Sequence, residues 1–401
     1  MFDATTRPGG LQHVVFLERA VHQPEATPAG FGKAAFLVLR LVDLVDAART
    51  PATRGELFGY QAAATGRFCT EQLEPGPSTD LLQDLVRAAT YAHRRQDPGL
   101  VAPAMIALAV GLEDAACYEE ALDVIRTLER VTGSHLRPAD AVTAALRTGR
   151  LERELARFDL AELAYARAGE LATTAGDVHS ALLSQLGRAN VHRGRGNLGE
   201  AEYGDRAVLH EAQLTGHRAI EARAEHDLGI VLGTRGQLID AVPHLWRAFT
   251  LHQEEGPSLR ALHDLGLALT RLGDIEGAER ALGYVVRRSD NRDNVQNALI
   301  DLMHCAAVRR DRVGFERYRV SCAKERSHMS PNILTDYLLK LGIGLSRFGQ
   351  FDRAAAELDQ ALHVAQTHRL HEFEFRIERI RAGLRDCEAV EQAEQDTRAE
   401  P

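Results

Sequence analysis

Between Leu341 and Leu362 the chain reads LGIGLSRFGQFDRAAAELDQAL. Gly342, Gly344 and Gly349 are spaced like glycines that bring a backbone close to a phosphate. That chemistry needs a strand before the glycines and a helix that begins at them. Here Gly342 and Gly344 lie inside a helical pattern, and no lysine or serine follows in the phosphate-loop position. A nucleotide site is therefore not expected, and the glycines read as packing residues. Histidine is abundant at 17 copies, so metal binding is the next chemistry to weigh. His363, His368 and His371 are spaced by five and three, which does not place all three on one helical stripe, and His304-Cys305 are adjacent and diverge. Neither a His-Glu-x-x-His nor a finger spacing occurs. Ser134, Ser180, Ser184, Ser258, Ser321 and Ser346 lack a nucleophile-elbow setting. No catalytic residue, metal or cofactor is expected.

The glycines make sense as part of a repeat. HDLGIVLGTRGQLIDAVPHLWRAF begins at His226, HDLGLALTRLGDIEGAERALGYVV at His263, and the third copy at Leu341. Leu228-Gly229, Leu265-Gly266 and Leu341-Gly342 each precede a second glycine by seven residues (Gly236, Gly273, Gly349), with Ala241, Ala278 and Ala354 five residues beyond it. Weaker copies place alanines at Ala121, Ala161 and Ala201, with Asp205 where an apolar residue is expected; the copy around AAVRRDRVGFERYRV is degenerate. Spacings of three and four before and after the second glycine describe two amphipathic helices joined by a turn. Gly229 opposite large apolar residues would let those helices approach closely. A recurrence of this length is the signature of a solenoid.

The Leu-Gly-x-x-Leu starts and the Ala-x3-apolar-x2-small second helices resemble the tetratricopeptide repeat family over roughly Val101 to His368. The period is 37 to 40 residues, longer than the family's 34, and the family's early tryptophan and closing proline are missing. The resemblance implies an all-α, right-handed superhelical solenoid of antiparallel helix pairs, with about seven repeats over residues 99–368. Residues 1–98 read as an N-terminal helical block of three amphipathic helices: a cap, irregular repeats or a small bundle. Residues 369–390 read as a capping helix and 391–401 as a disordered tail.

Composition narrows the function. A net charge of −9 disfavours nucleic-acid wrapping, since phosphate neutralisation dominates that affinity, and the N-terminal block lacks a basic recognition helix. Cys69, Cys117, Cys305, Cys322 and Cys387 are dispersed, as reduced thiols are. Without a secretory signal or a spanning stretch, a cytoplasmic location away from membranes is expected.

Function must then come from surface. A solenoid offers a face lined by the first helix of each pair. On that face a stripe would hold Arg223, His226, Ile230 and Thr234 in one copy and Arg260, His263, Leu267 and Arg271 in the next. Asn190 and Arg193 stand upstream, Ile343 and Arg347 in the last copy. Recurrent arginine suits an extended, acidic peptide, because guanidinium groups bind carboxylates bidentately; the alternative is that these positions are merely solvated. The expectation is a non-catalytic scaffold or adaptor that binds a protein segment. The alternative is a bacterial regulatory receptor that senses a signalling peptide, with an all-helical enzyme as a remote third.

Overall fold

The computed structural model describes residues 11–22, 29–46, 53–368 and 370–383, and every regular element among them is a helix. The proposed tail at 391–401 and the end of the capping segment lie outside the described residues. The chain divides into two compact units, Met1–Val208 and Leu209–Pro401.

The first unit opens with α1 (Val14–His22), α2 (Ala29–Asp46), α3 (Thr53–Gln72) and α4 (Pro77–Arg95). The last three are the amphipathic helices expected from sequence; α1 is an addition. Nine residues are too few to sustain a helix alone, and tertiary contacts anchor it. Buried His13 places Nδ1 2.6 Å from Asp123 and Nε2 3.2 Å from Asp43, which also accepts from Arg130 at 2.6 Å. Burial opposes charge on His13, but its two carboxylate partners outweigh that and raise its pKa. Helices α5 (Ala102–Asp114), α6 (Tyr118–Thr132), α7 (Pro138–Glu154), α8 (Phe158–Thr174) and α9 (Val178–Gly194) follow, and the boundary between the units falls within α10 (Leu198–Thr215). Val38, Leu85, Leu108 and Ile125 share one apolar cluster, so α2 and α4 are continuous with the core of α5 and α6.

The second unit contains α11 (Arg218–Thr234), α12 (Leu238–Leu251), α13 (Glu255–Leu272), α14 (Ile275–Arg288), α15 (Arg292–Val308), α16 (Arg312–Glu325), α17 (Pro331–Arg347) and α18 (Phe351–Thr367). A final helix, α19, covers 371–383. Among the described residues α5 to α18 make seven helix pairs. Each pair has a left-handed residue in its turn: Ala116, Ala156, Gly196, Gly236, Gly273, Arg310 and Gly349. Glycine adopts this conformation freely, whereas Ala and Arg do so at a steric cost. Five positions after the turn residue, the second helix carries alanine in six pairs and Phe315 in the other.

That register shows the degenerate copy to be a full pair, α15 with α16. Met303 stands where other pairs carry Gly229 or Gly266, and Phe315 where they carry alanine. The larger Phe315 is accommodated by Gly344 in α17, whose added Cβ would sit 2.2 Å from the ring. Gly229, Gly266 and Gly342 face Leu245, Leu282 and Leu358, each leaving a Cβ under 3 Å from the leucine. Leu228, Leu265 and Leu341 are buried, as are Ala241, Ala278 and Ala354. Of the glycines that opened the question, Gly342 and Gly344 leave room for Leu358 and Phe315 at helix seams, and Gly349 makes the turn.

No described helix is long and apolar enough to cross a membrane. The four described cysteines are buried and free, and burial pushes the Cys322 thiol up to about 12, away from a reactive thiolate.

Candidate functional site

Within each unit the first helices of successive pairs pack on one another. In the first unit α5 meets α7 and α7 meets α9; in the second α11 meets α13, α13 meets α15 and α15 meets α17. Their close approach puts first helices on the inner face of each stack. The repeat register then brings one position of each first helix into line. In the second unit that position, just before the buried leucine, carries Asp227, Asp264, Asp301 and Lys340.

These side chains join neighbouring pairs. His226 Nε2 lies 2.8 Å from Asp264 Oδ2, and His263 Nε2 lies 2.8 Å from Asp301 Oδ2, each 38 residues away. Lys340 Nζ donates to Asp301 Oδ1 at 2.5 Å and to Asp336 Oδ2 at 2.6 Å. The result is a ladder of hydrogen-bonded and charged side chains from α11 to α17. Asp264 keeps 31% of its side chain exposed.

Electrostatics follow from that placement. Burial disfavours charge on His263, but hydrogen bonds and charge from Asp264 and Asp301 outweigh it and raise the imidazole to about 9. Burial likewise opposes the Asp301 carboxylate, and Lys340 with His263 brings it down to about 2. Beside them, burial and then the Lys340 charge press His304 down to about 4. On the seam side, Glu225 is fully buried; burial would push its carboxyl up, but His244 at 2.5 Å and Arg247 at 3.1 Å hold it below its ordinary value.

The expected stripe is thus partly committed to the fold. His226 and His263 belong to the ladder. Arg271 Nη1 donates to the Gly233 carbonyl at 2.9 Å, and Thr234 Oγ1 to the Ile230 carbonyl at 2.8 Å. Arg223, Arg260 and Arg347 are exposed. The His226 ring stands edge-on to that of His252, which follows α12, at 6.2 Å. In the first unit, Asn190 and Arg193 are half-buried on α9. There a cavity of about 560 Å³ between α8 and α9 is lined by Tyr165, Glu170, Ser184 and Arg188. Arg188 occupies the register of Leu228. Sequence reasoning missed Asp264, Asp301, Lys340 and His252. The twofold His-Asp-Leu-Gly run was a visible signal for the first of these; His252 had none.

No protein-family model matches the chain, and no curated protein matches it. Solved structures do. The quorum sensor NprR from B. thuringiensis, in its apo form, is similar with a TM-score of 0.55 at 12% identity, over 82% of this chain and 97% of that one. The fold is a tetratricopeptide-type solenoid. The same solenoid occurs in the Rap conjugation gene regulator of the plasmid pLS20 in complex with the Phr* peptide (TM-score 0.53, 12% identity, 83% of this chain and 97% of that one). It also occurs in aspartyl phosphate phosphatase F from Bacillus subtilis (0.52, 11%, 83% and 94%).

Proposed function

We propose that this solenoid is a non-catalytic scaffold that binds an extended peptide or protein segment along the inner face of its first helices. The ladder supports this reading. A row of charged and hydrogen-bonding groups, partly open to solvent, lines four successive first helices. An extended peptide has a polar backbone group every few ångströms and can meet such a row repeatedly along its length. A single compact ligand would leave most of it unused.

A second reading makes the bound segment a signal and the chain a receptor. The helices α1 to α4 ahead of the repeats favour it, as does the fold shared with a regulator solved with its peptide. A cytoplasmic setting goes with either reading. Selection of a random dodecapeptide display library on the whole protein tests the proposal. Binders that compete with one another for a single site are expected, and a library that returns none overturns it. The receptor reading requires in addition that a bound peptide change capture of a second protein from the host.

A further inference from the structure

The cavity between α8 and α9 lies where the repeat departs from its own rules. The position of Arg188 holds a buried leucine in five other pairs: Leu108, Leu228, Leu265, Leu302 and Leu341. That of Gly169 holds Leu209, Phe249, Val286 and Leu362 in four other second helices. Two large apolar side chains are thus missing here, and a cavity of about 560 Å³ lies in their place. Small-molecule sites commonly enclose roughly 300–1,000 Å³.

The polar groups around it are only loosely engaged. Arg188 is half exposed, and its Nη2 lies 3.9 Å from Glu162 Oε1, on a carboxylate that Arg195 already holds at 2.6 Å. Glu170 and Gln185 also line the cavity, and among the described residues neither that carboxylate nor that amide makes a hydrogen bond or ion pair. By contrast, Thr173, Thr174 and Ser184 donate to carbonyls of their own helices at 2.7 to 2.8 Å. The helices run antiparallel. Arg188 lies beside Glu162, and Ser184 lies beside Gly169, whose added Cβ would sit 2.8 Å from the Ser184 hydroxyl. Gln185 therefore stands between the two charges.

We propose that this cavity binds a free dipeptide, with its ammonium on Glu170 and its carboxylate on Arg188. The lengths agree. Glu170 is eight residues from Glu162 on α8, about 12 Å of helix. Two extended residues cover about 7 Å, and a charge-assisted hydrogen bond at each end adds about 2.8 Å. A single amino acid falls well short of that span, and a third residue overruns it by about 3 Å. The guanidinium offers paired donors to the carboxylate, and the Gln185 amide, donor and acceptor at once, can meet the central peptide group. The site does not depend on the peptide-binding reading of the inner face.

The test is a thermal-shift screen of the whole protein against a panel of free dipeptides, with calorimetric titration of the best. At least one should raise the melting temperature, because a ligand that binds only the folded chain stabilises it by mass action. Its N-acetylated and C-amidated forms, and its two free amino acids, should each bind at least tenfold more weakly. Arg188→Leu, which restores the residue of the other pairs, should melt no lower than wild type yet bind at least tenfold more weakly. Glu170→Gln should lose a similar factor with its melt unchanged. Arg280→Glu, on an exposed side chain of α14, should bind as wild type does. A panel that leaves the melting temperature unmoved overturns the site, as does equal affinity of wild type, Arg188→Leu and Glu170→Gln. Equal loss in Arg280→Glu overturns it too, by showing a diffuse charge effect. Undiminished binding of a capped form or a free amino acid overturns the dipeptide. The dodecapeptide selection reads the inner face and succeeds or fails separately.

Discussion

Raising the pH should unpick the His263 rung of the ladder, and the size of the effect follows from its surroundings. His263 is raised from an ordinary 6.5 to about 9. A group whose folded pKa is raised stabilises fully below the unfolded value and loses that contribution as pH rises through the folded one. The window is therefore pH 6.5 to 9. At about 1.4 kcal/mol per tenfold change in proton affinity, the contribution is roughly 3 kcal/mol near pH 6, roughly 1 at pH 8 and close to zero by pH 10. Only 20% of the side chain is exposed, so solvent screening trims little of it. The perturbation is His263→Gln, which keeps a donor and removes the titration. Trp246 is the only tryptophan and lies in α12, so its fluorescence during urea unfolding reports the second unit. The stability gap between wild type and variant should close steadily from pH 6 to pH 10. A gap that stays constant across that range would refute the charged rung and leave only packing or a neutral hydrogen bond.

Two further predictions concern the repeat itself. Gly344→Ala should destabilise the wild type, because the new Cβ meets Phe315 at 2.2 Å; in a Phe315→Ala background the same change should stabilise by about 1 kcal/mol, the helix preference of Ala over Gly, and an unchanged sign in chemical denaturation would contradict the size exchange. Arg310→Gly should raise stability by up to about 1 kcal/mol, since Arg310 holds a left-handed φ of 58° that glycine adopts without strain; a loss in the thermal melt would show that its side chain matters more than its backbone.

Much of this fold is legible in the chain because each repeat states its own rules. Leu228-Gly229, the turn glycine Gly236 and Ala241 are local signals, and they specify two helices and a tight seam. The pair at α15 and α16 was harder to read, because Met303 and Phe315 break both small-residue positions and the compensation lies in Gly344, a residue of the next pair. Helix α1 was illegible for a related reason: its anchor joins His13 to Asp123 across 110 residues. On the candidate face, the arginine and histidine stripe could be placed on the helices from its spacing. Which of those groups are already spent could not, since His226 and His263 find their carboxylates only after neighbouring pairs stack. His252 lies outside the repeat motif, so only the folded chain brings it beside His226.

The central claim is that a peptide lies against the first helices. A photo-crosslinking side chain placed singly at Ile230, Leu267 or Ile343, on the inner face, and at Ile239 or Val313, exposed on second helices, measures this with a labelled peptide from the display selection. Labelling at the three inner positions, with little at the outer two, is the predicted result. Labelling confined to Ile239 and Val313 would place the partner on the opposite side and contradict the account.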